Sequence, residues 1–205
     1  MPCLVFFVYN QDMKQNIRID KEVINTIKNG GVGVLPTDTI YGVVGSVLNK
    51  KTIERIYQLK KRDTKKPMVI IISSIKDLGI FDIKIDRKFK KKLKEFWPGK
   101  VSIILPCHSE ELTYLHRGMG SLAFRLPDLK WLRKLLKKTG PLVATSANKE
   151  GEQPAETIKQ AEEYFGNDID FFVDVGRLKG EASTVLEIKD SSVSIKRQGA
   201  VKIKE

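Results

Sequence analysis

The stretch GVGVLPTDTIYG, Gly31 to Gly42, decides how this chain is read. Val32 to Leu35 form a short apolar run of strand type, and Pro36 stops it. Four hydrogen-bonding side chains follow at once: Thr37, Asp38, Thr39 and Tyr41. In α/β sheets, ligands commonly bind beyond the carboxyl ends of strands, so polar groups gathered there have a use. A turn that merely satisfies itself would also favour Thr and Asp. Two further apolar runs end in the same manner. LAFRLPD carries Arg125, and PLVATSAN ends in Thr145, Ser146 and Asn148. One such cluster reads as a turn; three together point to a shared pocket of hydroxyls and one guanidinium.

The rest of the chain supplies a scaffold for that pocket. Leu4 to Tyr9 read as a strand. Asp20 caps an expected helix to about Asn29, with Val23, Ile24 and Ile27 on one face, and Gly30-Gly31 ends it. Tyr41 to Val47 return as a strand, and Lys51 to Lys61 form a helix. PMVIIIS, from Pro67, is the continuous apolar run of a central strand covered on both faces. The spacing predicts a helix from Asp86 to Trp97, stopped by Pro98-Gly99. Val101–Leu105, Leu122–Arg125 and Leu142–Ala144 are expected strands, with a helix around Trp131 to Leu136. A last helix carries Ile158, Ala161 and Phe165. Phe171–Asp174, Thr184–Ile188 and Val193–Lys196 close the chain as strands. The expectation is one α/β domain over residues 1–205 (α+β in some schemes): a twisted, open, mixed sheet flanked by helices. The order is not a clean βαβ repeat, so a doubly wound Rossmann fold is not expected.

Composition narrows the function classes. A chain of 205 residues supports one substantial core. No apolar run approaches the roughly 20 residues of a membrane helix. MPCLVFFVYNQ has neither a basic leader nor a small-residue cleavage site, so a cytoplasmic protein is expected. Cys3 and Cys107 have no CxxC or zinc spacing, and reduced thiols are expected. His108 and His116 read as loop residues rather than metal ligands. The 37 Lys+Arg against 25 Asp+Glu give a net charge of +12, a surface that attracts polyanions.

Several chemistries are excluded. GGVGVLP lacks the GxxxxGK[ST] spacing of a phosphate loop. Two unplaced histidines make no credible nucleophilic triad, and no close carboxylate pair suggests glycosidase work. Lys60 and Arg62 in LKKRD could meet phosphates, or simply complement a helix end. Arg197 in SIKRQGA leaves a strand beside Gly199. The residues favour positioning and charge neutralisation over covalent catalysis.

The ordered series PTDTIYG, LKKRDTKKPMVIII, FWPGKVSIIL, LAFRLPD, TSANKEG, ASTVLEI and IKRQGA resembles the YrdC/TsaC family, the threonylcarbamoyl-AMP synthases, over about residues 20–200. The resemblance implies a YrdC-like catalytic domain and a nucleotidyltransferase reaction. L-threonine, bicarbonate or CO2, and ATP (with Mg2+) become threonylcarbamoyl-AMP and pyrophosphate. Partner proteins then transfer the threonylcarbamoyl group to N6 of adenosine 37 in tRNAs reading ANN codons. By motif position, Lys60, Arg62, Ser146 and Asn148 would be catalytic and nucleotide-binding, with Arg197 a further nucleotide contact. Thr37, Tyr41, Arg125, Thr145 and Ser183 would form the threonine pocket, Arg125 pairing with the carboxylate. No protein-held metal site is implied.

The sequence departs from the family pattern at three points. Gln198 stands where many relatives have proline. Lys149-Glu150-Gly151 follows TSAN where a serine often precedes the glycine. Val69 to Ile72 lack the histidine of some longer relatives, as in the single-domain members, and the C-terminal domain linked to site closure is expected to be missing. Three alternatives stand beside this reading. KIDRKFKKKLKEFWPGK, Lys84 to Lys100, interleaves lysines and aromatics as in a structured-RNA-binding module. A family paralogue could use another acceptor. A hydrogenase-maturation carbamoyl-transfer domain would bring extra domains and zinc-finger cysteines not seen here.

Overall fold

The computed structural model describes residues 4–7, 17, 19–189 and 192–203. Ten strands form one mixed sheet in the order β1-β8-β2-β3-β7-β4-β6-β5-β9-β10. In chain order these are β1 (Leu4–Phe7), β2 (Gly33–Pro36), β3 (Tyr41–Ser46), β4 (Ile70–Ile71), β5 (Val101–Pro106), β6 (Ser121–Arg125), β7 (Leu142–Ser146), β8 (Phe171–Asp174), β9 (Thr184–Lys189) and β10 (Ser192–Arg197). The helices are α1 (Lys21–Lys28), α2 (Lys50–Leu59), α3 (Arg87–Leu93), α4 (Thr113–His116), α5 (Lys130–Thr139) and α6 (Ile158–Phe165). The expected strand at the N-terminus is present over Leu4–Phe7; Val8, Tyr9 and Cys3 lie outside the described residues.

The continuous apolar runs are explained by two covered faces. On one face, Val23, Ile24 and Ile27 of α1 and Trp131, Leu132, Leu135 and Leu136 of α5 pack on Leu35, Val44 and Phe171. On the other, Ile53 and Ile56 of α2, Leu93 of α3 and Ile158 and Ala161 of α6 pack on Val34, Tyr41, Val43 and Ile103. Alternate residues of β2 and β3 therefore enter different cores, as the two-residue strand period dictates. Asp20 caps α1, its carboxylate accepting from Lys21 N at 2.8 Å, and Gly30 leaves the helix at φ +87°, a conformation that favours glycine.

Helix α3 stops a turn before the predicted end at Trp97. Glu95 N and Phe96 N bond three residues back, to Lys92 O and Leu93 O, so the α-helical ladder tightens and ends. Pro98 disfavours helical geometry at Trp97, whose indole N–H instead donates to Val101 O at 2.7 Å. Trp97 is buried, and Phe89 and Phe96 pack against the core. These aromatics are not presented to solvent as a stacking platform. Helix α4 and the 3-10 turn Ile75–Phe81 were not anticipated. His116 serves a local turn there, its Nδ1 accepting from Gly118 N and its Nε2 lying 3.2 Å from Ser109 O. Among the described residues no group of three His, Cys, Asp or Glu could hold a metal ion. No helix there is long and apolar enough to cross a membrane. Cys107 is a buried free thiol.

Candidate active site

β2 and β3 form a hairpin whose turn, residues 37–40, opens onto a cavity of about 340 Å³. This lies at the lower end of the size range for small-molecule pockets. β7 brings Thr145 and Ser146, the end of β6 brings Arg125, and the segment after α2 brings Arg62. Ser183 before β9 and Arg197 at the end of β10 complete the wall. The separated motifs thus share one space. Thr37, Tyr41, Arg62, Arg125, Thr145, Ser146, Ser183 and Arg197 all line it.

Lys60 and Asn148 do not line it. Lys60 is 2% exposed and sits behind the wall. Its Nζ donates to Ser146 O and Asn148 O, each at 2.5 Å, and its own carbonyl accepts from Glu150 N at 2.8 Å. Lys60 thereby anchors the whole TSAN turn from below. Glu150 adds an outer tie, accepting from Asp63 N at 2.7 Å and pairing with Lys66 at 2.6 Å. Arg62 in turn donates to the carbonyls of Lys66 and Pro67. The departure from the family pattern at Glu150 is therefore a bridge between the two loops that flank the cavity.

Burial and the neighbouring Arg62 push the Lys60 ammonium from 10.5 down to about 7, with Glu150 acting in the opposite direction. A neutral amine still offers two N–H donors, enough for both carbonyls. Between about pH 7 and 10.5 the unfolded chain keeps a proton that the folded chain has released, so stability rises with pH through that window. Thermal melts from about pH 6 to 9 should show this rise in the wild type and not in Lys60→Met. Parallel profiles would contradict it.

The polar clusters divide between self-satisfaction and availability. Thr37 closes its own turn: Oγ1 donates to Ile40 O at 2.8 Å and accepts from Thr39 N and Ile40 N. The Tyr41 hydroxyl faces away to residues 174–176, donating to Gly176 O at 2.8 Å and accepting from Val175 N at 3.0 Å. Burial raises its pKa well above the ordinary phenol value, so it stays neutral, tied into the core beneath the cavity that Tyr41 helps to line. Ser183 Oγ lies 2.8 Å from Ser102 Oγ, and its carbonyl accepts from Arg197 at 2.8 Å. Thr184 Oγ1 accepts from Gly199 N and donates to Val201 O, fixing the segment after β10 and hence Arg197.

That segment runs so close that a side chain has no room. A Cβ on Gly199 would stand 2.2 Å from Ala182 O and 2.8 Å from Ser183 backbone atoms. Gly199→Ala is expected to cost about 1–3 kcal/mol and to move Ser183 and Arg197 together. Thermal melts check this; an unchanged melt would contradict it.

Three guanidiniums dominate the electrostatics. Arg197 is depressed from its ordinary value by burial first, then by Arg125 and Arg62, so the three fields overlap. Arg125 is depressed by burial and supported by Asp38. All remain cationic, and the cavity suits an anion. Sequence reasoning put Asp38 and Thr39 in a polar cluster without giving either a role, and it missed Ser121. The lone carboxylate amid the hydroxyls of PTDTIYG was the available signal for Asp38.

The Sua5/YciO/YrdC family model, described as telomere recombination, matches residues 25–199. The chain belongs to this family. The threonylcarbamoyl-AMP synthase of Marinobacter nauticus is 33% identical over 150 residues, 72% of this chain and 79% of the relative. That of Bacillus subtilis is 31% identical over 182 residues, 85% of this chain. This chain spans only 51% of the Bacillus relative's length. Pyrococcus abyssi Sua5, solved in complex with L-threonine, superposes with a TM-score of 0.82 at 25% identity, covering 97% of this chain and 58% of that one. The family fold expected from the motif series is thus the fold observed.

Proposed function

We propose that this chain is an L-threonylcarbamoyladenylate synthase, a nucleotidyltransferase acting on ATP, L-threonine and bicarbonate. The observation that carries the reading is the convergence of Arg62, Arg125 and Arg197 with the hydroxyl-bearing strand ends on one cavity. Names of relatives and the threonine complex of P. abyssi Sua5 support it.

The chemistry sets what the residues must do. The threonine amine and bicarbonate combine to a carbamate with loss of water. A carbamate oxygen then attacks the α-phosphorus of ATP, and pyrophosphate leaves. Both reactants are anionic, so bringing them together is a large part of the barrier, and fixed cations lower it. Arg125 takes the threonine carboxylate by a forked pair of hydrogen bonds. Arg62 and Arg197 take the phosphates. Ser146 and Thr145 donate from the end of β7, and Asn148 with Lys60 keeps that turn in place. Tyr41 and Thr37 shape the pocket lining.

Mg2+ enters as part of the nucleotide substrate. Among the described residues the cavity is lined by no carboxylate cluster, and Asp38 is engaged with Arg125. Mg2+ readily takes phosphate oxygens and water instead. Separate proteins would use the product to modify adenosine 37 of tRNA. The lysines of α3 leave only an electrostatic route for RNA contact, which should weaken steeply with salt.

Purified protein should release pyrophosphate only when ATP, threonine and bicarbonate are all present. Release that ignores threonine would overturn the reading.

A further inference from the structure

Two buried groups at the amino acid end of the cavity are incompletely bonded. The side chains of Asp38 and Arg125 are 3% and 6% exposed. Arg125 Nη2 lies 3.2 Å from Asp38 Oδ1, yet neither Asp38 Oδ1 nor Arg125 Nε has a hydrogen-bond partner among the described residues. Asp38 Oδ2 receives only a long contact from Asp128 N, at 3.4 Å. Arg125 faces the cavity, while Asp38 stands behind it.

Three guanidiniums in one cavity create a selectivity problem. Each forks equally well onto carboxylate or phosphate, and a triphosphate or pyrophosphate carries the higher charge. Attraction alone would let phosphate occupy all three arginines and shut out the amino acid. Discrimination then needs a repulsive element. Among the described residues, Asp38 is the carboxylate paired with one of these arginines.

We infer that Asp38 is the specificity determinant that reserves Arg125 for a singly charged carboxylate and excludes phosphate from it. This rests on the functional reading above. Asp38 touches no substrate; it acts through Arg125 as a positioning residue. Its charge offsets that of Arg125, so the pair presents a directed fork with little net charge. A phosphate docked on that fork would meet the Asp38 carboxylate at short range in a water-poor site, where like charges repel strongly. An amino acid brings one carboxylate and an amine whose N–H groups offset the same repulsion. Among the described residues Arg62 and Arg197 make no ion pair of that kind: Arg62 bonds to the carbonyls of Lys66 and Pro67 and feels Glu150 only at longer range, and Arg197 bonds to Ser183. These two are left to the polyphosphate.

Inorganic phosphate is the probe. In wild-type protein, calorimetry and inhibition kinetics should show phosphate competing with ATP while threonine affinity stays within about twofold. Asp38→Asn keeps the size and removes the charge. In that variant phosphate should also compete with threonine, raising its apparent KM about fivefold or more at concentrations that leave the wild type unaffected. A role limited to stability would not create this competition. A folded Asp38→Asn whose threonine site ignores phosphate would overturn the inference. So would phosphate competing with threonine in the wild type, a result that needs no variant to fold. A wild type that binds no threonine would overturn the functional reading and this inference with it; threonine binding with phosphate competition would overturn this inference alone.

Discussion

Arg125→Lys is expected to reduce threonine-dependent pyrophosphate release about 100-fold while leaving ATP affinity nearly unchanged. Arg125 lines the cavity at the end of β6 and is held against Asp38 at 3.2 Å. Lysine keeps a positive charge beside that buried carboxylate, so the fold is spared an uncompensated charge. It loses the planar fork, which pre-orients two parallel bonds to a carboxylate. Loss of one charge-assisted hydrogen bond and that orientation costs about 2–3 kcal/mol, close to two factors of ten in affinity. The loss should fall on the threonine KM and on threonine binding by calorimetry. Unchanged threonine affinity would remove Arg125 from the amino acid pocket.

Lys60→Ala should lower the melting temperature and weaken ATP binding more than threonine binding. Ser146 O has a second donor in Asn148 N at 3.0 Å, but among the described residues Asn148 O relies on Lys60 Nζ. A buried carbonyl without a donor costs about 1–3 kcal/mol, and the emptied space of the lysine stem adds to this. A total of about 3–5 kcal/mol corresponds to a fall of about 6–20 °C for a domain of this size. The loosened TSAN turn carries Ser146 on the proposed nucleotide side, hence the unequal effect. Equal loss of both affinities would contradict this placement of Lys60.

Much of this architecture was legible because local and tertiary signals agreed. Asp20 followed by Val23, Ile24 and Ile27 is both a cap and a core stripe, and α1 forms where they predict. Polar groups at the ends of three apolar runs pointed to Thr37, Arg125, Thr145 and Ser146, all of which line the one cavity. The strand order was not legible. β1 lies beside β8, near the far end of the chain, and nothing local to Leu4–Phe7 encodes that partner. Helix α3 was overrun because Phe89, Phe96 and Trp97 keep helical spacing although the chain has left the helix. Lys60 was singled out as a phosphate contact, but its burial was hidden by its neighbours: a Lys-Lys-Arg run suggests solvated side chains, yet Lys60 is buried and Lys61 is exposed. The Asp38–Arg125 pair joins two distant motifs, each plausible alone, and only the folded sheet shows them as one unit.

The central claim is that one cavity holds a nucleotide beside an amino acid, with the three arginines divided between them. A crystal structure with L-threonine and a non-hydrolysable ATP analogue tests it most directly. The account predicts the threonine carboxylate on Arg125 and the phosphates between Arg62 and Arg197, with Ser146 at the nucleotide. Phosphates seated on Arg125, or a nucleotide bound outside the space between β2, β7 and β9, would contradict it.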